Sequence, residues 1–139
     1  IIYGKGELIE SEEEIALIAV GSMVETAVFV REHLHKLGFK ASLVNARFIS
    51  PLDEELLHKL AKSHTLFVTM EENVKRGGFG EEVSVFLCEH GYRGIRHLNI
   101  SIPNMFVEHG DRALLKEKLG LDEESIVERI CAVMEEEGR

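Results

Sequence analysis

The sequence contains no tryptophan, only two prolines and two cysteines, and a minority of basic residues. Its 16 Lys and Arg face 25 Asp and Glu, and the net charge of −9 argues against nonspecific binding to nucleic acid or to anionic membranes. No apolar run approaches the ~20 residues of a membrane-spanning helix. The amino end has neither an initiator methionine nor the basic-then-apolar order of a signal peptide, so we expect a piece of a longer polypeptide.

The two cysteines, Cys88 and Cys131, stand in no metal-binding or disulfide spacing. A disulfide framework and a cysteine-based zinc knuckle are therefore not expected. We interpret both residues as small buried apolar side chains of a protein from a reducing compartment, and we expect a cytoplasmic location.

Apolar runs that alternate with helical patterns indicate the fold class. Residues 15–20 form a continuous apolar run, typical of a strand buried on both faces of a parallel sheet. Weaker strand patterns cover residues 6–10, 41–45, 65–69 and 95–100. We predict a three-layer α/β/α domain over residues 1–139, with a mainly parallel five-stranded sheet and one antiparallel edge strand.

Helical spacing of apolar residues separates these strands. Helix starts are predicted at Ser22, at Ser50 or Asp53, near Phe79, at Asp111 and at Asp122. The first helix is expected to end at Gly38, because glycine readily adopts the left-handed conformation of a C′ residue. Its inward face is expected to be Met23, Ala27, Val30, Leu34 and Leu37.

The crossing from residue 69 to residue 80 carries the densest polar chemistry of the chain. It contains Gly77, Gly78 and Gly80, but it lacks the Lys-Ser/Thr pair of a phosphate-binding P-loop. Carboxylates outnumber the cations around these glycines: Glu71, Glu72, Glu81 and Glu82 against Lys75 and Arg76. We therefore predict that the glycines serve close backbone packing rather than phosphate binding.

The spacing of histidines and of possible nucleophiles predicts neither a metal site nor a nucleophilic active site. His33 and His35 are two residues apart on a predicted helix and point to different faces, and the other histidines are scattered. No Gly-x-Ser-x-Gly elbow occurs. Glu108 and His109 are an acid–base pair or, as we favour, an anchor for their loop. We predict a domain without a self-contained active site.

The remaining role for these polar residues is contact with another protein surface. Glu71, Glu72 and Asn73 follow one predicted strand, and Arg47 follows a strand expected to lie beside it. An arginine opposite two carboxylates can form a charge-assisted bridge, within the domain or across an interface. In the alternative interpretation Arg47 anchors its own loop.

The order of several motifs closely resembles the C-terminal, transketolase-C domain of the 1-deoxy-D-xylulose-5-phosphate synthases. The resemblance covers the chain from Gly4 to about Met134. It rests on Val44–Asp53, on Val68–Asn73 with Gly77–Gly80, on Ile102-Pro103 with Phe106–Gly110, and on Leu119–Asp122. The sequence departs from the family pattern at Lys75-Arg76, which is more basic than usual, and at Asn104, where aspartate is common.

This resemblance implies one domain of a larger thiamine-diphosphate enzyme that condenses pyruvate with glyceraldehyde 3-phosphate. In that family thiamine diphosphate and Mg²⁺ belong to other domains, so no catalytic, cofactor-binding or metal residue is expected here. The implied partners are the remaining domains of the same polypeptide and a second subunit of a homodimer. The candidates for those contacts are Arg47, Glu71, Glu72, Asn73, Phe106, Glu108 and His109.

Two alternatives stay open. The same fold forms the C-terminal domain of transketolases and of 2-oxo acid dehydrogenase β subunits. A free-standing α/β module that binds a small anion or nucleotide is the alternative from another functional class.

Overall fold

A computed structural model describes residues 4–47, 51–74, 78–103 and 122–137. Helices and strands alternate along most of the chain, as the apolar pattern predicts. The strands are β1 (Glu7–Glu10), β2 (Glu14–Ala19), β3 (Ala41–Asn45), β4 (His64–Val74) and β5 (Arg96–Pro103). The helices are α1 (Met23–Lys36), α2 (Glu54–Ala61), α3 (Phe79–Glu89) and α4 (Glu123–Glu137).

The five strands form one sheet in the order β1-β3-β2-β4-β5. Strand β1 runs antiparallel to β3 at one edge, and every other pairing is parallel. This confirms the predicted mainly parallel sheet with one antiparallel edge strand.

The continuous apolar run of β2 supplies two cores, because alternate residues of a strand point to opposite faces. Ile15, Leu17 and Ala19 belong to one apolar cluster together with residues of α1 and α4. Ala16 and Ile18 belong to a second cluster, with residues of α2 and α3. The sheet therefore lies between two helical layers, and the predicted three-layer arrangement is confirmed.

Local sequence signals place two of the helix boundaries. The Oδ1 atom of Asp53 accepts a hydrogen bond from the Leu56 N–H at 3.1 Å, so Asp53 caps α2 as predicted. Gly38, two residues after the last helical residue Lys36, has a φ of +90°. Ser22 stands at the predicted start of α1, but its hydroxyl makes no capping hydrogen bond.

Several details differ from the sequence-based expectations. Leu37 was expected in the core, but it is 59% exposed because α1 ends at Lys36. The expectation that both cysteines are buried is wrong, since Cys88 is exposed and Cys131 half-buried. Cys88 lies on the solvent side of α3, directly after the inward-facing Phe86 and Leu87. The helix predicted from Asp111 lies outside the described residues.

The strand leading into the glycine crossing is also longer than predicted. β4 continues through Glu71 and Glu72 to Val74 instead of ending at Thr69. Its pairing with β5 explains the extension, since Glu71 lies opposite Ser101 in the parallel ladder. Within the part of the chain that the structure describes, no helix is long and apolar enough to cross a bilayer.

Candidate interface at the carboxyl edge of the sheet

Glu71 forms the polar centre of the glycine crossing. Its side chain is only 3% exposed, and Oε1 accepts a hydrogen bond from the Phe79 N–H at 2.9 Å. The other carboxylate oxygen accepts a short hydrogen bond from the Gly80 N–H. A carboxylate at this position satisfies two backbone donors that a helix start leaves unpaired, and it complements the positive end of the helix dipole. Glu71 therefore fixes the start of α3 to strand β4.

Glu72 acts on the opposite face of the sheet. The Ser22 hydroxyl donates a hydrogen bond of 2.6 Å to Oε2 of Glu72. Ser22 directly precedes α1, which packs in the other helical layer. Because consecutive strand residues point to opposite faces, Glu71 and Glu72 together tie β4 to the starts of two helices.

The hydrogen bonds of Glu71 argue against phosphate binding at the crossing. A helix start binds phosphate through free backbone N–H groups and its positive dipole. Here the N–H groups of Phe79 and Gly80 are already bonded to the buried carboxylate of Glu71. A phosphate group at this position would meet that carboxylate at hydrogen-bond distance. The described part of this crossing, residues 69–74 and 78–80, therefore does not fit a phosphate ligand.

The glycine at position 80 serves close packing, as predicted. A Cβ atom built on Gly80 would lie 2.3 Å from Oδ1 of Asn99 on strand β5. Asn99 Oδ1 in turn accepts a hydrogen bond from the Thr69 hydroxyl at 3.2 Å. A residue with a side chain at this position would require the Asn99 side chain to move, so glycine allows α3 to approach this part of β5.

The Thr69 hydroxyl also contacts a histidine of β5. The distance from Thr69 Oγ1 to His97 Nε2 is 2.8 Å. Desolvation by burial lowers the pKa of His97 to about 4, because the imidazolium form loses hydration there. Histidine at this position is therefore neutral at physiological pH.

Arg47 lies at a different place from the one predicted. Strand β2 separates β3 from β4, so the expectation that the strand before Arg47 adjoins the strand of Glu71 and Glu72 is wrong. The guanidinium of Arg47 instead forms an ion pair of 3.0 Å with Glu7 on β1. Its φ of +60° is unusual for a residue with a side chain, and its N–H is held by Oδ1 of Asn45 at 3.0 Å. Arg47 thus anchors its own loop to the edge strand.

Of the remaining predicted contact residues, the structure describes only one. Asn73 lies in strand β4. Phe106, Glu108 and His109 lie outside the described residues. The structure consequently places Arg47, Glu71, Glu72 and Asn73 near the carboxyl ends of the parallel strands, where open α/β sheets usually carry their contacts.

A side-chain cluster that the sequence spacing did not reveal lies in the helical layer formed by α2 and α3. Glu54 and His58 of α2 and His90 at the end of α3 place one potential metal-ligand atom each within 4.8 Å of one another. Glu54 and His58 are four residues apart, a helical signal that is visible in the sequence. The third member could not be found that way, since only the packing of α2 beside α3 brings His90 to them.

These features define a doubly wound α/β domain whose strand ends hold its own helices rather than a phosphate ligand. Residues 4–126 match the family model described as transketolase, C-terminal domain. The chain belongs to that family.

The relatives and the solved structures agree with this assignment. The chain is 88% identical over 131 residues to 1-deoxy-D-xylulose-5-phosphate synthase of Lachnoclostridium phytofermentans, covering 94% of this chain and 21% of that protein. It is 41% identical over 139 residues to the enzyme of the same name from Dehalococcoides mccartyi, covering 99% of this chain and 22% of that protein. The chain thus spans about a fifth of the length of these curated relatives.

Two solved structures resemble the fold. A split-gene transketolase, described as an inactive beta4 tetramer, matches with a TM-score of 0.79 and 28% identity. That match covers 91% of this chain and 40% of the other. A transketolase mutant of Pichia stipitis matches with a TM-score of 0.67 over 93% of this chain and 18% of the other. Its 18% identity supports the fold alone.

Proposed function

We propose that this chain is the C-terminal domain of a 1-deoxy-D-xylulose-5-phosphate synthase. The whole enzyme would condense pyruvate with glyceraldehyde 3-phosphate and release carbon dioxide, supplying precursors of isoprenoids, thiamine and pyridoxal. The observation that carries this proposal is the 88% identity over 131 residues to a synthase of that name. The match to the transketolase C-terminal domain supports the position of the chain within such an enzyme.

The domain contributes structure and contacts rather than catalysis. Thiamine diphosphate would require a phosphate-binding cradle, and the helix start after β4 is occupied by the Glu71 carboxylate. The described residues of this crossing therefore do not fit the cofactor. In this proposal thiamine diphosphate and Mg²⁺ bind to other domains of the longer polypeptide, which would be a cytoplasmic enzyme.

The contact surface of the domain is the carboxyl edge of its sheet. Arg47, Glu72 and Asn73 would contact the remaining domains of the polypeptide or the second subunit of a homodimer, together with Phe106, Glu108 and His109. Glu71 would act indirectly in this proposal, because its carboxylate is buried and bonded to the start of α3. Its role is to hold the crossing beside which those contacts are made.

The test compares the 139-residue chain with the longer protein from the same coding sequence. The longer protein is expected to form 1-deoxyxylulose 5-phosphate from pyruvate and glyceraldehyde 3-phosphate, and the isolated chain is expected to be inactive. Calorimetric titration of the isolated chain should show no sub-millimolar affinity for thiamine diphosphate. Synthase activity or tight cofactor binding by the isolated chain would contradict the proposed division of roles.

A transketolase is the second candidate, because the split-gene transketolase shares 28% identity with this chain. The much higher identity to the synthases favours the first proposal. Assays of the longer protein distinguish the two, since a transketolase would transfer a two-carbon ketol group between sugar phosphates without consuming pyruvate.

A further inference from the structure

Three side chains with metal-binding groups converge where α2 packs beside the end of α3. Glu54 and His58 are four positions apart on α2 and therefore lie on one face of the helix. His90 follows α3 directly and reaches the same point. These three residues supply one carboxylate oxygen and two imidazole nitrogens, a ligand set that zinc uses in proteins.

The distances suit a tetrahedral ion. The three potential ligand atoms lie within 4.8 Å of one another, and Nε2 of His90 is 3.3 Å from Oε1 of Glu54. Zinc bonds nitrogen and oxygen at about 2.0–2.2 Å, which separates the ligand atoms of a tetrahedral site by about 3.4 Å. One pair already has this separation, and small side-chain rotations would bring the third atom to it.

The ring of His58 is held in place by its neighbours. Its Nδ1 lies at hydrogen-bond distance from the Tyr92 hydroxyl, at 2.5 Å. The ring also packs edge-on against Phe86, with 4.8 Å between ring centroids. A histidine that binds a metal usually has its other ring nitrogen hydrogen-bonded, which fixes the tautomer and the ring orientation. With Nδ1 in contact with Tyr92, Nε2 of His58 would be the ligand atom in this arrangement.

The surroundings of the cluster attract cations. An adjoining cavity of about 350 Å³ is lined by Glu54 and by three carboxylates of α3, namely Glu81, Glu82 and Glu89. Negative charge concentrated in a cleft raises the local concentration of positive ions. Glu54 and His90 are exposed and His58 is half-buried, so an ion can reach the site and keep a water ligand.

We propose that Glu54, His58 and His90 form a binding site for a divalent first-row transition-metal ion, with Zn²⁺ as the ion whose geometry fits best. Three protein ligands and one water would complete its coordination. This site does not depend on the proposed synthase function. An ion here would join α2 to the end of α3 and so stabilise the helical layer that both helices form.

Zinc titration of the 139-residue chain by calorimetry tests the site, with thermal unfolding as a second readout. One ion per chain is expected to bind with a dissociation constant on the order of micromolar and to raise the unfolding temperature. The exposed positions allow two mild variants, His90→Gln and Glu54→Gln. Each is expected to weaken binding by about tenfold or more and to abolish the shift in unfolding temperature.

The matched control is His35→Gln, which removes an exposed histidine of α1 in the other helical layer. It should leave zinc affinity unchanged. Unfolding temperatures without metal establish that each variant is folded. The proposal is overturned if the chain binds no zinc below millimolar concentration. It is equally overturned if His90→Gln and Glu54→Gln bind zinc as tightly as the unmodified chain, or if His35→Gln weakens binding as much as they do.

Discussion

Gly80 on α3 and Asn99 on β5 approach each other so closely that a Cβ atom on Gly80 would lie 2.3 Å from the amide oxygen of Asn99. This contact lies beside the hydrogen bonds between Glu71 and the start of α3. The glycine and the carboxylate therefore serve the same purpose. One allows the helix to approach the sheet, and the other holds it there.

Replacing Gly80 by alanine is expected to destabilise the fold by about 1–3 kcal/mol, because the new methyl group must displace the Asn99 side chain or the helix. Urea unfolding at neutral pH measures this change. Gly94→Ala is the matched control, since a Cβ atom there meets nothing within 4 Å. The control should be neutral or slightly stabilising.

A partner substitution separates steric overlap from a general loss of helix stability. Asn99→Ala removes the atoms with which the new Cβ collides, so the double variant Gly80→Ala/Asn99→Ala should recover much of the lost stability. If the two substitutions are simply additive, the close contact is not the reason for the glycine.

The sequence was sufficient for the layers of the fold but not for the role of its polar residues. The continuous apolar run at residues 15–20 is a local pattern that by itself predicts a strand covered on both faces. No local pattern reveals the order of the strands in the sheet. In that order β2 lies between β3 and β4, and it therefore separates Arg47 from Glu71. The end of β4 was also hidden from the sequence. An apolar pattern stops at the first charged residue, but pairing with β5 extends β4 through Glu71 and Glu72.

The Glu71 carboxylate should be important for stability. Glu71→Gln keeps the shape of the side chain but places an N–H₂ group where one oxygen now accepts a hydrogen bond from Phe79 or Gly80. Loss of one charge-assisted hydrogen bond in a buried position is expected to cost about 1.5–3 kcal/mol. Chemical denaturation of the isolated chain measures the difference in free energy of unfolding.

Glu89→Gln provides the control for charge alone. Glu89 is exposed and lies in the last turn of the same helix, where a negative charge opposes the helix dipole. This substitution should be neutral or stabilise the chain by a few tenths of a kcal/mol, roughly the value of a surface dipole interaction. Equal effects at positions 71 and 89 would show that the Glu71 hydrogen bonds do not hold α3.

His97 should make the stability of the chain dependent on pH. Burial lowers its pKa to about 4, compared with about 6.5 for an ordinary histidine. As the pH falls, the unfolded chain takes up the proton first, so the stabilising contribution is present above about pH 6.5 and is lost towards pH 4. For this half-buried side chain the loss between pH 7 and pH 5 is expected to be on the order of 1–2 kcal/mol.

The difference between the unmodified chain and His97→Gln isolates this contribution from the titration of the carboxylates. Unfolding free energies measured at pH 7 and at pH 5 should show a smaller loss for the variant. His35→Gln should keep the full loss, because His35 is exposed in α1. A variant at position 97 with the same pH dependence as the unmodified chain would contradict a neutral His97 whose pKa is lowered by burial.

Charge reversal at Arg47 should weaken the assembly of the longer protein more than it weakens the domain. Arg47 is half-buried, and its ion pair with Glu7 is partly exposed, so Arg47→Glu is expected to cost the isolated chain only about 1 kcal/mol. At a subunit or domain contact the same reversal places like charges where complementary ones are needed, and such a juxtaposition costs several kcal/mol.

Analytical ultracentrifugation of the longer protein should show a larger monomer fraction for Arg47→Glu. Lys36→Glu, an equal change of charge on the exposed end of α1, should leave the proposed dimer intact. If both variants sediment like the unmodified protein, Arg47 does not contribute to the proposed contact surface.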